Sequence, residues 1–574
     1  MLKLSTRSDY KTLHDAAALR DGDEPAILYV ETDQPTIHVT RSDFRRHVMA
    51  YAAALQNVGI APRDLVIIAH TQNLESIYAF WGALWIGAIP SMFPTLTEKL
   101  DPDIYMQSLA ELAARSNVRA ILTTDEFAPV LTAHVSCAVY GSSDLTPSER
   151  EAVGATRGSP LQEPITEISD PQQTPSLHSM ADDEIAFLQH SSGTTGLQKG
   201  VALSHRAVLN QLASYSDAIA LNDNDVIVSW LPLYHDMGLI AGFLLPLVQG
   251  IPLVLMSPFD WAKHPALLFR AIHEHHGTLC WLPNFAYNHC ARRIRQRDLE
   301  GLSAASMRMF INCSEPVYAE SHALFLERFA AIGVKAEMLA VSYAMAENTF
   351  AVTQTPPGEI PHVDVIDRAM LEERLIAQPA DAHTVTKVSC GKPITNTAVR
   401  VLDDAGNPLP ERHVGELAVK SDCMLTEYYQ RPDLQPFKDG WYLTGDRGYI
   451  ADGEIYVVGR SKDLIINAGK NVYPQDIEAL VNTVPGVHAG RAVAFGVPDV
   501  REGTELIAVV AEVETESEEE RQAIDRAIRQ TVAQGSTVTV SFVKLVDSRW
   551  LIKTSSGKIA RAANREKWLR EKGE

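Results

Sequence analysis

The feature that most constrains the fold is an alternation of two patterns between about residue 45 and residue 350. Short runs of β-branched and other apolar residues occur at 65–69, 120–124, 185–189, 226–231, 253–256, 278–282 and 307–311. Between them, apolar residues recur at spacings of three and four, as at 105–115, 265–276 and 319–332. Because strands that alternate with amphipathic helices build βαβ units, we predict an α/β fold around mainly parallel sheets.

After residue 390 the pattern changes to short strands punctuated by glycine and aspartate, at 398–402, 415–419 and 453–458, which predicts an antiparallel arrangement. Further strands are expected at 492–497, 506–513 and 539–545. Between the last two, Ser517 and Glu520 form a capping-box pattern ahead of a helix with Ile524, Ile528 and Val532 on one face. We therefore predict a large N-terminal body, 1–460, of two mainly parallel sheets with helices plus a small β-rich subdomain, followed by a small α+β unit, 461–574.

Composition excludes several classes of protein. The 574 residues carry a formal net charge of −21, which argues against nucleic acid as a principal partner. The six cysteines lie far apart without a Cys-x-x-Cys pair, so neither a disulfide framework nor a zinc knuckle is indicated, and a reducing cytoplasm fits best. The nearly uncharged stretch 77–93 is short for a bilayer span and contains Gly82, Gly87 and Pro90. We predict a buried helix that runs into a turn, and no membrane span.

A loop rich in glycine and hydroxyl residues follows the strand expected at 185–189, with the sequence Ser191-Ser192-Gly193-Thr194-Thr195-Gly196-Leu197-Gln198-Lys199-Gly200. The next helix is expected to begin near His205. Backbone N–H groups without a nearby Cβ, together with hydroxyl donors, suit the oxygens of a polyphosphate. Since Lys199 precedes Gly200, this is not the G-x-x-x-x-G-K-[ST] loop. A flexible surface loop is the alternative interpretation.

With this loop the chain resembles the adenylate-forming ligases, which join a carboxylate to AMP from ATP. Further motifs follow in that family's order, and the first of them has the form found in fatty acyl-AMP ligases: WLPLYHDMGLI at 230–240, NCSEP at 312–316, YAMAE at 343–347, LTGD at 443–446, GRSKD at 459–463, GKNVYPQDIE at 469–478 and KTSSGK at 553–558. The resemblance spans nearly the whole chain. It implies that the unit 461–574 carries the catalytic lysine and is mobile, with its hinge at Lys462.

The resemblance also implies roles for individual residues. Lys558, His235 and Glu347 are the implied catalytic residues, and Glu347 and Thr195 are the implied Mg²⁺ ligands. The implied binding residues for ATP and AMP are Ser191, Ser192, Gly193, Thr194, Thr195, Gly196, Lys199, Cys313, Ser314, Glu315, Pro316, Tyr343, Ala344, Met345, Ala346, Asp446 and Arg460. A structural histidine is the alternative interpretation of His235.

The residue types suit this chemistry without the family name. A carboxylate that attacks the α-phosphorus of ATP brings two anions together, so a compact cation such as Lys558 can bridge them. Glu347 offers a hard oxygen for Mg²⁺, and Tyr343 offers an aromatic face for adenine. Asp446 and Arg460 offer an acceptor and a donor for ribose hydroxyls. The alternatives are a solvated basic tail around Lys558 and an ordinary ion pair of Asp446 with Arg460.

Three positions depart from the common pattern. The family usually has glycine where this chain has Cys313 and Ala344, which adds side chains near the expected adenine pocket. Ala346 replaces a hydroxyl residue of the wider superfamily, although alanine is typical of the fatty acyl-AMP branch. We expect these changes to affect the geometry of the nucleotide more than the reaction.

Residues from about 358 to 389 resemble an insertion of fatty acyl-AMP ligases. In that family it lies against the small domain and is linked to an acyl carrier protein as acceptor in place of coenzyme A; a surface hairpin is the alternative. Ile366, Met370, Leu371 and Leu375 recur there at helical spacing, which predicts a docked apolar face. An acidic carrier would need a basic surface, for which the candidates are Arg292, Arg293, Arg295 and Arg297, or Arg565, Lys567 and Arg570.

We therefore predict a cytoplasmic ligase that forms acyl-AMP from a fatty acid and ATP and passes the acyl group to an acyl carrier protein or to a carrier domain of a polyketide or nonribosomal synthase. The alternatives are a fatty acyl-CoA synthetase and, less favoured, a non-catalytic nucleotide-binding scaffold. An α/β-hydrolase is disfavoured because the chain has no G-x-S-x-G. His273, His275 and His276 lack the spacing of a metal site and are interpreted as structural.

Overall fold

The computed structural model describes residues 10–19, 21–71, 74–96, 102–145, 180–190, 199–499, 504–554 and 558–572. The α-helices are α1 (Leu13–Leu19), α2 (Arg41–Asn57), α3 (Leu74–Trp85), α4 (Pro102–Arg115), α5 (Ala128–Thr132), α6 (Ser142–Leu145), α7 (His205–Ala218), α8 (Leu245–Gln249), α9 (Pro258–Lys263), α10 (Ala266–His275), α11 (Asn284–Arg293), α12 (Ala319–Phe329), α13 (Pro474–Val481), α14 (Glu518–Gly535) and α15 (Arg561–Lys572). Two π-helical segments cover Met237–Leu244 and Met370–Arg374.

The strands are β1 (Pro25–Val30), β2 (Ile37–Thr40), β3 (Leu65–Ile68), β4 (Ile89–Met92), β5 (Ala120–Leu122), β6 (Ala138–Tyr140), β7 (Ile185–His190), β8 (Gly200–Ser204), β9 (Ile227–Ser229), β10 (Leu253–Met256), β11 (Leu279–Leu282), β12 (Met309–Asn312), β13 (Leu339–Ala344), β14 (Ala351–Gln354), β15 (Val363–Asp367), β16 (Thr384–Val388), β17 (Lys392–Pro393), β18 (Thr397–Leu402), β19 (Gly415–Ser421), β20 (Glu427–Tyr428), β21 (Phe437–Lys438), β22 (Trp441–Ala451), β23 (Glu454–Arg460), β24 (Ile465–Asn467), β25 (Lys470–Val472), β26 (Val487–Asp499), β27 (Thr504–Val513) and β28 (Phe542–Val546).

The largest sheet has the strand order β17-β14-β13-β12-β11-β9-β10-β1-β2. Its six central strands, from β13 to β1, pair in parallel, and the flanking pairs at both ends are antiparallel. A second sheet, β4-β3-β5-β6, is parallel throughout. The predicted α/β fold with two mainly parallel sheets is therefore confirmed. All seven apolar runs named above contain a strand, because strands buried on both faces have continuous apolar sequences.

The carboxyl edge of the largest sheet is where the chemistry-bearing motifs converge. Strand β9 lies between β10 and β11, so the chain reverses the direction in which it adds strands at this point. The motif 230–240 follows β9, the motif 312–316 follows β12, and the motif 343–347 begins at the end of β13. Ligands of open α/β sheets bind at the carboxyl ends of strands, next to such a reversal.

The sequence predicted that the glycine-rich loop joins a strand to a helix. In the structure the loop is followed by a strand. Its last residue begins strand β8, which pairs antiparallel with β7, for example Leu188 with Ala202 and His190 with Gly200. Helix α7 follows β8 directly, with Ser204 as its N-cap. The loop therefore connects the two strands of a β-hairpin, and helix α7 begins only after β8. Its residues 191–198 lie outside the described part of the chain.

The stretch 77–93 forms a buried helix that runs into a turn, as predicted. Helix α3 ends at Trp85, Gly87 has a φ of +75° in the turn, and β4 follows. The ring of Phe80 packs 5.6 Å from that of Phe187 and 5.7 Å from that of Phe243. Within the described ranges, no helix is long and apolar enough to cross a bilayer.

The apolar residues that recur at helical spacing in segment 358–389 do not lie on an α-helix. Ile366 lies in β15, which pairs antiparallel with β16, and only a short π-helical segment follows. Leu375 has a φ of +57° and ends it. Ile366 and Leu371 are nevertheless buried, in a cluster that includes Tyr449 and Tyr473. A helix and a strand followed by a tight turn can bury the same residues, so the spacing of the apolar residues does not distinguish the two structures.

Beyond residue 390, strands β18, β19, β21, β22 and β23 form one antiparallel sheet, as predicted. The last part of the chain has its own sheet, β26-β27-β28, and its own apolar cluster. Helix α14 begins after Ser517, whose side chain accepts the Glu520 N–H, and it buries Ile524, Ile528 and Val532 as expected. The Glu520 carboxylate accepts from Thr515.

Candidate active site

Three side chains, Lys558, His235 and Asp236, form a chain of polar contacts at the carboxyl edge of the largest sheet. Lys558 Nζ lies 3.5 Å from His235 Nε2, and His235 Nδ1 lies 2.6 Å from Asp236 Oδ1. An ammonium group can only donate, so Nε2 accepts and the ring proton is on Nδ1. Burial alone would raise the pKa of Asp236, but the attraction of His235 and Lys558 holds this pKa below its ordinary value of 3.8. The ionised carboxylate fixes the orientation of the ring.

The turn that carries His235 depends on a glycine. The His235 N–H donates to the Pro232 carbonyl at 3.2 Å, and Asp236 Oδ1 accepts the Met237 N–H at 2.8 Å where the π-helical segment begins. A Cβ at Gly238 would lie 2.2 Å from the Pro232 carbonyl oxygen. Only glycine permits this approach, and the approach brings His235 to the end of β9.

Lys558 precedes α15 and is bonded to Thr554. Its carbonyl accepts the Thr554 N–H at 2.7 Å, and its own N–H donates to Thr554 Oγ1 at 3.2 Å. Asn564, within α15, bonds both the N–H and the carbonyl of Ile552 at 2.8 Å. These bonds hold the backbone on both sides of Lys558, while residues 555–557 lie outside the described part. The side chain thus reaches His235 from a unit more than 300 residues away in sequence.

Tyr343, Asp446 and Arg460 form a second polar group. The Tyr343 hydroxyl donates to Asp446 Oδ2 at 2.6 Å, and Arg460 Nε lies 3.1 Å from Asp446 Oδ1. Asp446 and Arg460 are paired residues of β22 and β23, which explains their proximity. Burial and then the charge of Asp446 raise the pKa of Tyr343 well above its ordinary value, so its hydroxyl remains a donor. The structure brings these three predicted residues together.

Glu347 is held at the end of a hydrogen-bond chain of two tyrosines. The Tyr428 hydroxyl donates to Glu347 Oε1 at 3.0 Å and lies 3.0 Å from the Tyr442 hydroxyl. Lys199 Nζ lies 4.9 Å from the centre of the Tyr428 ring. Burial and then the Glu347 charge raise the pKa of Tyr428 above its usual 10.0, so this hydroxyl also stays protonated. Lys199 and Glu347 therefore both lie at Tyr428.

The turn after Glu347 is strained and firmly anchored. Thr349 has φ +61° and ψ −51°, and the Phe350 N–H bonds the Asn348 carbonyl at 2.6 Å, which is a γ-turn. A β-branched residue is rarely found at positive φ. Thr349 Oγ1 donates to the Cys423 carbonyl at 2.7 Å, and Ser421 Oγ donates to Asn348 Oδ1 at 2.6 Å. These bonds fix the direction of the Glu347 side chain.

The segment Cys313 to Pro316 follows β12 and contributes to the wall of the site. Cys313 is fully buried, and burial raises the pKa of its thiol to about 12. Ser314, with φ +72°, lies 3.9 Å through Oγ from the sulfur of Met237. Glu315 Oε2 accepts the Phe285 N–H at 2.9 Å and so caps α11. The structure gives Glu315 this local role, which the motif did not indicate.

The remaining predicted residues lie nearby or outside the described part. Ala344 ends β13, Met345 donates its N–H to the Phe350 carbonyl at 2.9 Å, and Ala346 begins the short helix that contains Glu347. Lys462 lies in the short helix Ser461–Asp463, and burial and then the charge of Arg460 lower its pKa. The predicted residues Ser191, Ser192, Gly193, Thr194, Thr195 and Gly196 lie outside the described residues.

A narrow apolar slot adjoins the motif that carries His235. Its free volume is about 20 Å³, and Leu233 and Tyr234, which precede His235, form part of its wall. The ring of Phe259, 45% exposed, lies at the slot. The other lining residues are Ile68, His70, Ser76, Met92, Phe93, Thr95 and Pro258. The slot therefore lies between residues of the second parallel sheet and the segments that follow β9 and β10 of the largest sheet.

Comparison with known proteins decides the family. The model of the AMP-binding enzyme family matches residues 14–429. The chain is 30% identical to the medium-chain-fatty-acid–[acyl-carrier-protein] ligase JamA of Moorena producens, over 99% of this chain and 94% of that protein. The chain belongs to the AMP-binding enzymes, in their fatty acyl-AMP ligase branch. It is thus an adenylate-forming enzyme whose nucleotides are ATP and AMP, as the resemblance implied.

Two further relatives of this AMP-binding enzyme cover its whole length. The long-chain-fatty-acid–AMP ligase FadD28 of Mycobacterium tuberculosis is 28% identical over 99% of both chains. A structure from a study of fatty acyl-adenylate ligases of E. coli and L. pneumophila superposes with a TM-score of 0.88, at 28% identity and with complete coverage of both chains. The fold prediction is therefore confirmed by a solved relative as well.

Sequence reasoning did not identify several partners of the predicted residues. Asp236 stood inside the quoted motif beside His235, and its carboxyl group was a signal that could have been used. Tyr428 lies 81 residues from Glu347, and no local pattern connects them. The sequence does not indicate the positive φ of Thr349, because threonine is rarely found in that conformation.

Proposed function

We propose that this enzyme activates a fatty acid with ATP to give acyl-AMP and pyrophosphate. It then transfers the acyl group to the phosphopantetheine thiol of an acyl carrier protein, free or as a domain of a polyketide or nonribosomal synthase, so that a thioester forms and AMP is released. The observation that carries the proposal is the 3.5 Å contact of Lys558 Nζ with His235 Nε2 at the carboxyl edge of the sheet. The relatives named as a fatty-acid–[acyl-carrier-protein] ligase and a fatty-acid–AMP ligase support the acid and the acceptor.

In the first step, a carboxylate oxygen of the acid attacks the α-phosphorus of ATP, and the bond from that phosphorus to the bridging oxygen of pyrophosphate breaks. Lys558 neutralises the carboxylate and the α-phosphate as they approach, and its three N–H donors can serve both. His235, oriented by Asp236 at 2.6 Å, then lies beside the reacting groups with Nε2 released from the lysine. Lys558 therefore neutralises the charge of the reacting groups, and His235 holds them in position.

ATP is proposed to lie along the edge of the sheet. Asp446 and Arg460 bond the ribose hydroxyls, and Tyr343 packs against the adenine. The phosphates lie in the loop 191–196 with Lys199. The residues proposed to surround the base are Cys313, Ser314, Glu315, Pro316, Ala344, Met345 and Ala346.

The residues present fit Mg²⁺ bound to the phosphates, with Glu347 as protein ligand and Thr195 as a second candidate. Oxygen Oε1 of Glu347 accepts from Tyr428, and none of the described residues donates to Oε2. In the described ranges, no cluster of three or more His, Cys, Asp or Glu could hold a metal by itself. Phosphate oxygens and water would complete the coordination, as is common for Mg²⁺. The ion would neutralise the charge of the leaving pyrophosphate.

The alkyl chain is proposed to enter the apolar slot beside Tyr234. Its lining is mainly apolar, which suits a fatty acid whose carboxylate lies at His235. A volume of about 20 Å³ is too small for an alkyl chain, so side chains must move when the acid binds. Phe259 is the most exposed of these side chains and is the proposed gate.

The body 1–460 and the unit 461–574 are proposed as separate domains that move about Lys462. Segment 358–389 contacts the unit through four polar links. Lys387 Nζ lies 2.9 Å from Asp476 Oδ1, Asn471 Nδ2 donates to the Glu372 carbonyl at 3.0 Å, Thr537 donates to the Glu372 carboxylate, and Lys470 Nζ lies 3.5 Å from Glu373 Oε1. These links place the segment against the small unit, which is the position that the resemblance associates with a carrier protein as acceptor.

A cytoplasmic location belongs to the same proposal. All six cysteines carry free thiols, and five of them are buried. Free thiols are typical of reducing compartments. Detection of the enzyme with the cytoplasmic fraction of its cell tests this part.

The proposal is tested with a panel of fatty acids of different length in the acid-dependent exchange of labelled pyrophosphate into ATP. The acyl-AMP formed by the best acid is then offered to a phosphopantetheinylated carrier protein and, separately, to coenzyme A. We expect fatty acids to support the exchange of pyrophosphate. We expect a thioester to form with the carrier protein and not with coenzyme A. Efficient thioester formation with coenzyme A would instead identify an acyl-CoA synthetase.

A further inference from the structure

Arg561, three residues after Lys558, lies at the centre of a largely buried network of charges. Its Nη1 donates to Asp463 Oδ2 at 2.7 Å, and its Nη2 donates to both oxygens of Glu478 at 2.8 and 3.0 Å. Its Nε donates to the Ala494 carbonyl at 3.0 Å. The side chains of Arg561, Asp463 and Glu478 are only 18%, 16% and 14% exposed. One guanidinium therefore joins three separate elements of the unit.

The partners of Arg561 identify what it connects. Asp463 is the residue after Lys462, the proposed hinge, and it ends the short helix Ser461–Asp463. Glu478 is in α13, and its Oε1 also accepts the Ala494 N–H at 2.9 Å from β26. Arg561 itself begins α15, directly after the loop that presents Lys558. The network thus joins the chain just after the hinge to the loop that carries the reacting lysine.

The carboxylates of Asp463 and Glu478 both bond the Arg561 guanidinium. Apolar packing would stabilise the interior of the unit with fewer requirements. Charges removed from water need close opposite charges and complete hydrogen bonding, and apolar side chains of similar size would avoid that requirement. A planar guanidinium with donors in a fixed fork sets direction as well as distance. An arrangement that specifies geometry at this point suits a loop whose lysine must meet a reacting centre in another domain.

We propose that Arg561 is a positioning residue for Lys558. It fixes the lysine loop to the segment after the hinge, so that the loop moves with the small unit as one rigid body and Lys558 reaches the reacting groups in a defined position. This inference rests on the proposed adenylation by Lys558. Arg561 does not contact the substrates and acts only through the lysine.

The test is a cycle of variants in the pyrophosphate exchange assay: Arg561→Met, Lys558→Ala and the double variant. Arg561→Met should lower the kcat of exchange by about a hundredfold, as expected for a displaced reacting group, with the KM for ATP changed less than threefold. In the Lys558→Ala background, Arg561→Met should have no further effect, because its action passes through the lysine. Arg561→Lys, which keeps the charge but not the fork, should recover only part of the activity.

Controls separate this role from stability and from the proposed function. Arg529→Met removes another arginine of the same unit, which bonds Asp525 at 2.8 Å and the Val540 carbonyl at 2.7 Å, and should leave kcat unchanged. Asp463→Asn should reproduce part of the Arg561→Met loss at an unchanged melting temperature. Additive losses in the cycle, or wild-type kcat in folded Arg561→Met, overturn the inference. An inactive wild type refutes the proposed function itself, and a fully active Lys558→Ala variant refutes the role of Lys558 on which this inference rests.

Discussion

At the scale of single residues, the site is built from side chains whose protonation is set by close neighbours. Asp236 is kept ionised although it is shielded from water, and it directs the Nδ1 proton of His235. Tyr343 and Tyr428 each face a carboxylate and are therefore held as hydroxyl donors. Fixed hydrogen-bond donors and acceptors therefore surround the proposed reacting groups. Such groups need little reorientation during the reaction, which lowers its free-energy cost.

Asp236→Asn should lower the kcat of adenylation by roughly tenfold to a hundredfold, because a hydrogen bond to an ionised group is worth about 1.5–3 kcal/mol. The folded pKa of Asp236 lies below 3.8. Its ionised form therefore stabilises the fold above pH 3.8, and this contribution is lost as pH falls through the lower folded value. Melting temperatures of wild type and variant should differ at neutral pH and converge in acid. Parallel curves at all pH values would contradict this assignment.

Asp446→Asn should raise the KM for ATP by about tenfold, because it replaces the ionised acceptor shared by Tyr343 and Arg460. Steady-state kinetics with saturating acid measure this. Asp452→Asn, in the exposed turn between the same two strands, is the matched control and should behave as wild type. Equal effects of both substitutions would show that the ribose assignment is wrong.

At the scale of secondary-structure elements, the parallel strands that could be predicted from the sequence are buried. The strands of the parallel sheets could be predicted because both of their faces are apolar. Strand β4 was missed because its sequence Ile89-Pro90-Ser91-Met92 contains proline, which is unusual inside a sheet. Strand β8 was missed because it begins at Gly200 of the glycine-rich loop. The helical spacing near Ile366 did not correspond to an α-helix, because an apolar residue every three or four positions also fits a strand followed by a turn.

For the site, the sequence could predict which motifs converge but not the contacts between them. The resemblance assigned His235, Tyr343 and Cys313 to one site, but the sheet edge at which they lie follows from the strand order of the structure. The partners Tyr428 and Asp463 come from distant segments, and their contacts depend on how the antiparallel sheet and the small unit pack. Such tertiary contacts have no local pattern in sequence.

Lys387→Met should loosen the contact between segment 358–389 and the small unit. The Lys387–Asp476 pair is 10% and 16% exposed, so removal of the lysine leaves a shielded carboxylate without its partner. We expect faster cleavage by protease near the 460–463 connection. The exchanged pair, Lys387→Asp with Asp476→Lys, should restore much of the resistance. Unchanged cleavage in the single variant would mean that this pair does not hold the two parts together.

Phe259→Ala should broaden the range of acids accepted, since the ring lies at the apolar slot next to Tyr234. We expect kcat/KM to rise for longer acids relative to the best wild-type acid, measured across a series of chain lengths. Phe285→Ala is the control, because Phe285 is similarly exposed at 43% but does not line the slot. The same change in profile for both variants would place the alkyl chain elsewhere.

At the scale of the whole molecule, the account concerns an acidic enzyme that must hold anions. The formal charge of −21 repels ATP, a fatty acid and an acidic carrier at long range. The proposed attraction is therefore local, from Lys558, Arg460 and Lys199, and Lys558 comes from a unit with its own apolar core. If the unit moves about Lys462 as proposed, the arrival of Lys558 couples closure of the molecule to the chemistry.

The most direct test of this account is the fatty-acid-dependent exchange of labelled pyrophosphate into ATP by wild type and by Lys558→Ala. We expect exchange that requires the acid in wild type and a loss of about a hundredfold to a thousandfold in the variant, with an unchanged melting temperature. Exchange at the wild-type rate in the variant, or no exchange in wild type with fatty acids of any length, would contradict the central claim.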